Sequence, residues 1–567
     1  MKFNWVIGGE AGFGIMTTGL TFSKIVSRSG YHLLDYVEYP SLIRGGHNAY
    51  KVTIDSEPVH TLKETIDVLV CLNKATFELH KHELTNDSVV VYDNEEFEVG
   101  EGFKKVHIPF RKILKEEQGQ SIMKNTIALG ASIATVGGDL KMLVEMIESQ
   151  FQKKGEKVIE YNKLFVKRGY DSVIHNFKDF CRSIIAPHPK PEERLVMTGN
   201  DAFALGSIIG DCKFYCAYPM TPSSSVLTTL AAWQQKAQIT VRHAEDEIAV
   251  INSAIGAAHG GVRASVGTSG GGFALMVEAV SLAGITETPI VVFLSQRPGP
   301  ATGMPTWTEQ GDLLFAVHAG HGEFPKIVLT PGDVDEMIRL TAEAFDLADI
   351  YQTPVIVMSD MFLSESHSTI SSSKVQQLFS SMKLNRGKTV TNPTERPYLR
   401  YKDTADGISE RLIPGAKGNF YQANSYEHGE DGHTSETAED RKAQVEKRNR
   451  KQSTYLSNHF KMPSVYGDIK SAQSVLVCCG SIKGVCLEVM NELKNVAVIH
   501  FTHVYPLDQK RLQELFKNTG NFVLVEQNST SQLGLLLRQQ TGINIEKNIL
   551  RYDGRPMTAT EIIKQIC

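Results

Sequence analysis

Residues 218 to 224, Tyr-Pro-Met-Thr-Pro-Ser-Ser, combine an aromatic ring, hydroxyl groups and two prolines in a pattern that could hold a small anion. The two prolines bracket Thr221, so the segment cannot continue as the interior of a helix. The serines that follow favour the start of a helix, and the N-terminus of a helix attracts anions. The pattern therefore predicts a turn that presents a hydroxyl group beside an anion-binding site, as in an active site.

Three acidic residues, Glu245, Asp246 and Glu247, stand at the start of a predicted helix. We expect Glu245 and Asp246 to complement the helix dipole. Glu247 differs, because the residues after it up to Gly256 are mostly small or apolar and indicate close packing against another backbone. A carboxylate in such an interface needs a partner, and a bound heterocycle with a ring nitrogen would supply one.

Two further loops follow apolar strands. Gly267 to Met276 contains four glycines, whose bare backbone a planar ligand could approach; a strained turn would explain them equally well. Ser295 to Trp307 follows the strand Ile290 to Leu294, and ligands of open α/β sheets collect at the carboxyl ends of strands. Arg297 stands at this end, where its guanidinium could bind a carboxylate through two hydrogen bonds.

A glycine loop, Gly8 to Gly14, lies between a strand and a helix near the start of the chain. A dinucleotide fingerprint would need a third glycine where Thr17 stands, and no Gly-Lys-Ser/Thr follows to make a phosphate loop. Asp35 lies at a plausible distance for a ribose hydroxyl. We favour a tight strand-to-helix turn over a bound nicotinamide nucleotide, which stays open as the alternative.

The elements that position these loops alternate between strand and helix patterns, which is typical of an α/β protein. At about 100 to 200 residues per domain, the 567 residues predict three or four domains. We place an α/β domain at 1–185, a proline-rich linker at 186–193, a parallel α/β domain at 194–370, a polar arm at 371–465 and an α/β domain at 466–567. Strands of the third of these segments are predicted at Lys213 to Ala217, Ala264 to Val266, Pro289 to Leu294 and Pro354 to Met358.

The composition narrows the class of partner. The formal charge of −5 is spread without a dominant basic face, so we expect small metabolites rather than nucleic acid or an anionic membrane. The chain shows no signal-peptide pattern and no membrane-spanning run, which predicts a cytoplasmic protein. The eight cysteines form neither a disulfide framework nor an iron–sulfur ligand run, and we expect Cys212 and Cys216 to be buried thiols.

At these places the chain resembles the 2-oxoacid:ferredoxin oxidoreductases, in particular the 2-oxoglutarate-type alpha subunit with a gamma-type domain fused ahead of it. The resemblance covers nearly the whole chain. It implies an N-terminal gamma-type domain, a doubly wound thiamine-diphosphate-binding domain of the pyrimidine type and a C-terminal domain like that of transketolase. The motifs that carry it are Gly8 to Gly14, Arg44-Gly45-Gly46, Tyr218 to Ser224, Glu247, Gly267 to Met276, Ser295 to Trp307, Tyr426-Glu427-His428, Val525 to Asn528 and Tyr552 to Pro556.

The resemblance also implies a reaction and roles for single residues. The family decarboxylates a 2-oxoacid on thiamine diphosphate, passes electrons through iron–sulfur clusters to ferredoxin and forms an acyl-CoA. Glu247 would hydrogen-bond the aminopyrimidine ring and promote its imino tautomer. Thr221 and Arg297 would hold the carboxylate and keto groups of the substrate. The cofactor would lie against Tyr218, Pro219, Glu247, Gly270, Gly271 and Phe273.

Two departures from the family pattern limit what this chain could do alone. Gly271 stands where many relatives have proline, and no Gly-Asp-Gly motif with a spaced Asn is present to bind diphosphate through Mg²⁺. We therefore expect a separate beta subunit to supply the Mg²⁺ site and a 4Fe-4S cluster, in an αβ heterodimer or an (αβ)2 assembly.

The predicted reaction is the oxidation of 2-oxoglutarate with coenzyme A to succinyl-CoA and CO2, with ferredoxin as the electron acceptor, or its reverse. The alternatives are the same chemistry on pyruvate or a branched-chain 2-oxoacid, a nucleotide-binding dehydrogenase, and a scaffold subunit without catalysis.

Overall fold

A computed structural model describes residues 2–39, 46–188, 191–517 and 520–567. The chain forms two compact units: the first comprises residues 1–197 and 365–376, and the second comprises residues 198–364 and 377–567. Both are built from sheets covered by helices, which confirms the predicted α/β class. Of the predicted motifs, Arg44 and Gly45 lie outside the described residues, as do Pro189 and Lys190 of the predicted linker. The bounds of the five predicted segments stay predictions.

The first unit is organised on a sheet of eight strands in the order β6-β5-β4-β1-β3-β2-β14-β7. The central strands are buried along almost their whole length, as strands covered on both faces must be. A strand from the segment 365–376 extends this sheet by pairing antiparallel to β2. The strands are β1 (Phe3–Glu10), β2 (His32–Glu38), β3 (His47–Asp55), β4 (Ile66–Cys71), β5 (Leu84–Tyr92), β6 (Lys104–His107), β7 (Arg194–Thr198) and β14 (His367–Ser371).

Helices of the first unit pack on this sheet around Trp5, whose ring stacks on that of Phe22 at 4.0 Å between centroids. The helices are α1 (Ile15–Arg28), α2 (Lys74–His80), α3 (Phe110–Glu116), α4 (Lys124–Thr135), α5 (Leu140–Phe151) and α6 (Glu156–Asn176). The loop Gly8 to Gly14 forms the end of β1 and the turn into α1, with Gly14 in the left-handed region at φ 71°.

Asp35 has a structural role in this unit. Its side chain is fully buried and accepts hydrogen bonds from the Ser23 hydroxyl at 3.0 Å and from the backbone N–H of His367 at 2.6 Å. The carboxylate therefore holds β14 against the sheet, and the suggested contact with a ribose hydroxyl is wrong.

The second unit contains a sheet of seven strands in the order β20-β12-β13-β11-β10-β8-β9. Neighbouring strands in this sheet are parallel, except that β12 pairs antiparallel with β20. Strand β20 comes from the C-terminal part of the chain. The four predicted strands are present as β8, β10, β11 and β13, each one to three residues longer than predicted. The strands are β8 (Cys212–Ala217), β9 (Thr240–His243), β10 (Arg263–Thr268), β11 (Ile290–Gln296), β12 (Ile327–Leu329), β13 (Pro354–Asp360) and β20 (His503–Tyr505).

Among the described residues, nine helices lie between residues 199 and 458, and α14 runs from the 365–376 segment of the first unit into the second. They are α7 (Gly199–Ile209), α8 (Ser224–Ala237), α9 (Glu247–His259), α10 (Gly270–Ile285), α11 (Leu313–His318), α12 (Val334–Tyr351), α13 (Met361–Glu365), α14 (Ser372–Ser381) and α15 (Ala438–Asn458). No helix among the described residues combines the length and the apolar character needed to cross a membrane.

The C-terminal segment adds a second, five-stranded sheet with the order β17-β19-β18-β21-β22, parallel except for β17. Its strands are β17 (Ser464–Tyr466), β18 (Ser474–Cys479), β19 (Val496–Phe501), β21 (Phe522–Glu526) and β22 (Lys547–Leu550), and its helices are α16 (Ile482–Glu492), α17 (Gln509–Phe516), α18 (Gln532–Thr541) and α19 (Ala559–Ile566). A short pair, β15 (Thr389–Val390) and β16 (Arg411–Leu412), lies within the polar segment.

Helix α15 carries the basic residues of the predicted polar arm, yet two of its lysines are buried. Lys447 and Lys451 form ion pairs with opposite oxygens of the buried Glu287 carboxylate, at N–O distances of 2.5 and 2.6 Å. Burial would raise the pKa of Glu287, but the two ammonium groups hold it well below its usual value. This segment is therefore anchored to the second unit by charge rather than by the apolar stripe that usually docks a helix.

Candidate functional site

Four adjacent strands of the seven-stranded sheet, β11, β10, β8 and β9, are parallel, so their carboxyl ends meet at one edge. The segment from Tyr218 follows β8, Glu247 follows β9, Gly270 follows β10 and Arg297 follows β11. The sheet topology thus brings the four predicted motifs of the second unit to the place where ligands of open α/β sheets bind.

The turn after β8 is fixed from within. The Ser223 hydroxyl donates to the carbonyl of Met220 at 2.8 Å and does not cap α8, and the Asn200 side-chain amide donates to the carbonyl of Pro222 at 2.7 Å. Tyr218 and Pro219 remain exposed above these bonds, with 39% of Tyr218 accessible. The predicted turn is present, and its outer face is open.

Arg297 lies against this turn. Its Nη1 donates to the carbonyl of Thr221 at 2.6 Å, which joins the two residues predicted to hold a substrate. The guanidinium is half-buried, and burial lowers its pKa below the usual arginine value although Asp312 opposes the shift. Arg297 can therefore offer its remaining N–H groups to an anion in front of Thr221.

Glu247 is separated from its two acidic neighbours by burial. Glu245 and Asp246 are exposed, and Asp246 caps α9 by accepting from the N–H of Ala249 at 2.8 Å. Glu247 is only 3% exposed, and its Oε1 has no hydrogen-bond partner among the described residues. Because buried carboxylate oxygens are normally satisfied, this atom indicates a site for a donor from a ligand.

The three glycines at the start of α10 each face a different neighbour. A Cβ at Gly270 would lie 2.6 Å from Oδ2 of Asp312, and a Cβ at Gly272 would collide with the Glu247 carboxylate, 2.7 Å from its Cδ. A Cβ at Gly271 would lie 3.7 Å from Sδ of Met220, at the exposed surface. The first turn of α10 therefore brings two carboxylates and the 218–224 turn together by removing side chains.

Phe273 follows these glycines and is fully buried, with its ring edge-to-face on Phe315 at 5.2 Å between centroids. It anchors the first turn of α10 in the core, and its predicted contact with a cofactor stays a prediction.

Asp312 is a residue at this edge that the sequence did not single out. Its backbone N–H donates to Oε1 of Gln296, the residue before Arg297, at 2.9 Å. Burial raises the pKa of its carboxyl to about 6, although the positive charge of Arg297 acts in the opposite direction. In the sequence, Asp312 is marked only by its position shortly after the loop that contains Arg297. The contact of its carboxylate with Gly270, which the fold creates, distinguishes it from other acids.

The loop from 295 to 307 is covered by a motif from the end of the chain. The guanidinium of Arg555 stacks on the ring of Trp307, 3.2 Å from its centroid, and the backbone of Gly554 accepts from the N–H of Thr308 at 3.1 Å. The C-terminal motif Tyr552 to Pro556 thus stabilises the loop that carries Arg297.

The cysteines take no part in this arrangement. Cys212 and Cys216 are both buried, which confirms that prediction, and burial raises the pKa of each thiol to about 11. Within the described part of the chain, His, Cys, Asp and Glu side chains form no group of three or more that could hold a metal ion.

Comparison with known proteins assigns this chain to a family. A family model described as pyruvate flavodoxin/ferredoxin oxidoreductase, thiamine-diphosphate-binding, matches residues 206–447, and one described as pyruvate ferredoxin/flavodoxin oxidoreductase matches residues 4–172. The alpha subunit of a 2-oxoacid:ferredoxin oxidoreductase from a Sulfolobus species is 32% identical to this chain, covering 99% of it and 96% of the relative. The chain belongs to the 2-oxoacid:ferredoxin oxidoreductases.

Two further similarities bear on this oxidoreductase alpha subunit. A solved structure of 2-oxoglutarate:ferredoxin oxidoreductase from Magnetococcus marinus, with 2-oxoglutarate, coenzyme A and succinyl-CoA bound, is 31% identical and superposes with a TM-score of 0.92 over 100% of this chain and 99% of that one. The 2-oxoglutarate synthase subunit KorA of Archaeoglobus fulgidus is 44% identical over 30% of this chain and 49% of the relative.

The predicted family and fold are thereby confirmed. The domain matched at 206–447 is a thiamine-diphosphate-binding domain, and it contains the whole strand-end site of this alpha subunit. The relatives are named as alpha subunits, so the enzyme is a multi-subunit complex.

Proposed function

We propose that this chain is the alpha subunit of a 2-oxoglutarate:ferredoxin oxidoreductase that forms succinyl-CoA and CO2 from 2-oxoglutarate and coenzyme A and passes electrons to ferredoxin, or runs in reverse. The observation that carries the proposal is the unpartnered, buried Oε1 of Glu247 at the same sheet edge as the Thr221–Arg297 pair. The choice of 2-oxoglutarate is supported by the bound ligands of the Magnetococcus marinus enzyme and by the naming of the Archaeoglobus fulgidus subunit.

Thiamine diphosphate fits the residues present at this edge. Oε1 of Glu247 would hold a proton of a ring nitrogen, which satisfies the buried acceptor. Gly271, where an added Cβ would have its nearest atom 3.7 Å away, would leave room for a flat ring, and Tyr218 and Pro219 would border it from the turn. When bound, the cofactor supplies the electron sink that decarboxylation of a 2-oxoacid requires.

The Thr221–Arg297 pair would orient the substrate. Arg297 would donate hydrogen bonds to the carboxylate of the 2-oxoacid, and the hydroxyl of Thr221 would face its polar end. The existing bond from Arg297 to the Thr221 carbonyl keeps the guanidinium in one place, so less conformational freedom is lost when a substrate binds.

The remainder of the site would come from a partner subunit. The outer faces of α9 and α10 expose Ile248 and Leu275, about half of each side chain, and a Cβ at Gly256 would meet no atom within 4 Å. We infer that a beta subunit covers this face, contributes the Mg²⁺ and diphosphate site, and carries the 4Fe-4S cluster. Such exposed apolar surface next to a polar site is typical of a subunit interface.

The direct test is to co-express the chain with its partner, identify the second polypeptide by mass analysis and compare initial rates on 2-oxoglutarate and pyruvate. We expect activity only in the assembled complex, with a higher kcat/KM on 2-oxoglutarate. A clear preference for pyruvate would contradict the substrate assignment, and an active single chain would contradict the need for a partner.

A further inference from the structure

Asp312 carries a carboxylate that the proposed reaction leaves without a role. The group lies against the first residue of α10, where a Cβ at Gly270 would be only 2.6 Å from Oδ2, so the site keeps glycine there to admit it. Its backbone is tied to Gln296 by the 2.9 Å hydrogen bond, and Gln296 in turn donates to the Ser359 carbonyl at 3.1 Å. The carboxylate itself accepts no hydrogen bond from any residue that the structure describes.

The charges around Asp312 are out of balance. One cation, Arg297, and one further acid, Glu309, interact electrostatically with it. The carboxylate of Glu247, at the start of α9, lies against Gly272, two residues after Gly270 in α10. Arg297 donates to the Thr221 carbonyl, and no ion pair within 4 Å joins it to Asp312 among the described residues. With all three acids ionised, the edge would be net negative before an anionic substrate arrived.

We propose that Asp312 takes up a proton when the 2-oxoacid binds, so that the guanidinium of Arg297 interacts with the substrate carboxylate alone. The inference rests on the proposed function, because it takes Arg297 as the group that binds the substrate. One proton passes from solvent to a carboxyl oxygen of Asp312 on binding and returns to solvent when the site empties. Asp312 thereby acts as a positioning residue that controls which anion Arg297 faces.

The direction of the pH dependence follows from these charges. Burial already raises the pKa of Asp312 to about 6 in the free chain, and a bound anion would raise it further. Below about pH 6 the carboxyl is protonated in advance, and the substrate binds without a competing charge. Above that pH the proton must be taken up first, so binding weakens as pH rises.

The test uses the assembled, cofactor-loaded complex and the pH profile of kcat/KM for 2-oxoglutarate, which reports groups of the free enzyme. We expect kcat/KM of the wild type to fall by up to about tenfold per pH unit above about pH 6, as a single ionising group requires. Asp312→Asn should remove this limb, because its amide keeps the neutral form at every pH. Glu309→Gln, the matched control, should keep the limb and shift it slightly to lower pH.

A binding measurement without turnover separates the possible failures. We would titrate 2-oxoglutarate calorimetrically into the complex freed of thiamine diphosphate, in two buffers of different ionisation enthalpy. The wild-type complex should take up close to one proton per site near neutral pH, and the Asp312→Asn complex none. Thermal unfolding checks that the variant is folded. The wild-type measurement tests the inference even if the variant does not fold.

Binding without proton uptake, or the same pH limb in Asp312→Asn as in wild type, would overturn the inference and leave the proposed function standing. A complex that neither binds nor converts any 2-oxoacid would overturn both.

Discussion

At the scale of single residues, the site depends on which of three consecutive acids is buried. Glu245 and Asp246 face solvent, and the Asp246 carboxylate caps α9. Glu247 instead lies beside Gly272. An unpaired buried carboxylate oxygen costs free energy on the order of a few kcal/mol, and a protein tolerates it where a ligand will satisfy it. The free energy of binding then includes the relief of that cost.

Replacement of Glu247 by glutamine tests this role. Glu247→Gln keeps the size of the side chain but removes the charged acceptor, so we expect kcat of the assembled complex to fall by at least about 100-fold, as for loss of a proton-transferring group. The measurement is the 2-oxoglutarate-dependent reduction of ferredoxin. Glu245→Gln, an exposed acid two residues away, serves as the control and should retain wild-type rates. Equal rates for both variants would favour the scaffold alternative.

At the scale of elements, the first turn of α10 can lie close to its neighbours because it consists of three glycines. Gly272 lies against Thr268 and Glu247, Gly270 lies against Asp312, and Gly271 faces the open side of the turn. Glycine disfavours helix formation by about 1 kcal/mol relative to alanine, so three in one turn weaken the helix. That weakness is offset by the buried remainder of α10, including Phe273 and Met276.

Alanine substitutions at two of these glycines should have opposite effects on stability. Gly272→Ala would force a methyl group into the Glu247 carboxylate, and we expect it to destabilise the chain by about 1–3 kcal/mol. Gly271→Ala has its nearest atom at 3.7 Å and should be neutral or stabilising by up to about 1 kcal/mol, because alanine favours the helix. Urea unfolding of the two variants measures both values, and equal destabilisation would contradict this packing.

Helix α15 is a polar helix that packs against the rest of the second unit through buried ion pairs. Lys451 is almost fully buried, and burial lowers its pKa to about 7 despite the attraction of Glu287. Since the unfolded chain binds this proton up to the ordinary lysine pKa, the unfolded state holds more protons between about pH 7 and 10.5, and this group makes stability rise with pH across that window.

Removal of the shared carboxylate should be costly. Glu287→Gln would leave Lys447 and Lys451 buried without a counter-charge, and we expect the free energy of unfolding to fall by about 3–5 kcal/mol. The control is Glu395→Gln, which breaks the exposed ion pair with Lys402 and should cost at most about 1 kcal/mol. Chemical unfolding followed by circular dichroism gives both numbers; a small effect at Glu287 would mean that the lysines are neutral in the folded chain.

At the scale of the whole molecule, the alpha subunit presents an unfinished surface. On α9 and α10, the helices whose first turns contain Glu247 and Gly272, about half of the Ile248 and Leu275 side chains is exposed, and a Cβ at Gly256 would meet no atom within 4 Å. An apolar face of this kind next to a polar site fits a subunit that completes its active site only on assembly.

Charge placed on this face should prevent assembly without unfolding the chain. Ile248→Glu or Leu275→Glu would bury a carboxylate at the proposed interface, so we expect affinity for the beta subunit to fall by at least about 30-fold, equivalent to about 2 kcal/mol. Co-purification and size-exclusion chromatography measure the loss. Leu164→Glu, at an exposed leucine of α6 in the first unit, is the control and should assemble normally; a normal complex with all three variants would place the interface elsewhere.

The sequence by itself determined the family, the α/β class and the loops that meet at the carboxyl edge of the seven-stranded sheet. Proline, glycine and the periodicity of apolar residues act over a few positions, so the turn at Tyr218 to Ser224, the glycines after β10 and the arginine after β11 could be located from local pattern. It also suggested that Glu247 differs from Glu245, through the small residues that follow it.

Only the tertiary structure decided which groups meet. The contact of Asp312 with Gly270, the pairing of Glu287 with Lys447 across 160 residues, and the entry of β14 and β20 into sheets formed by distant strands leave no periodic trace in the sequence. Each depends on the burial of a polar or edge group that only a distant partner can satisfy. The fate of Asp35, a possible ribose ligand in the sequence and a buried support of β14 in the fold, follows from the same cause.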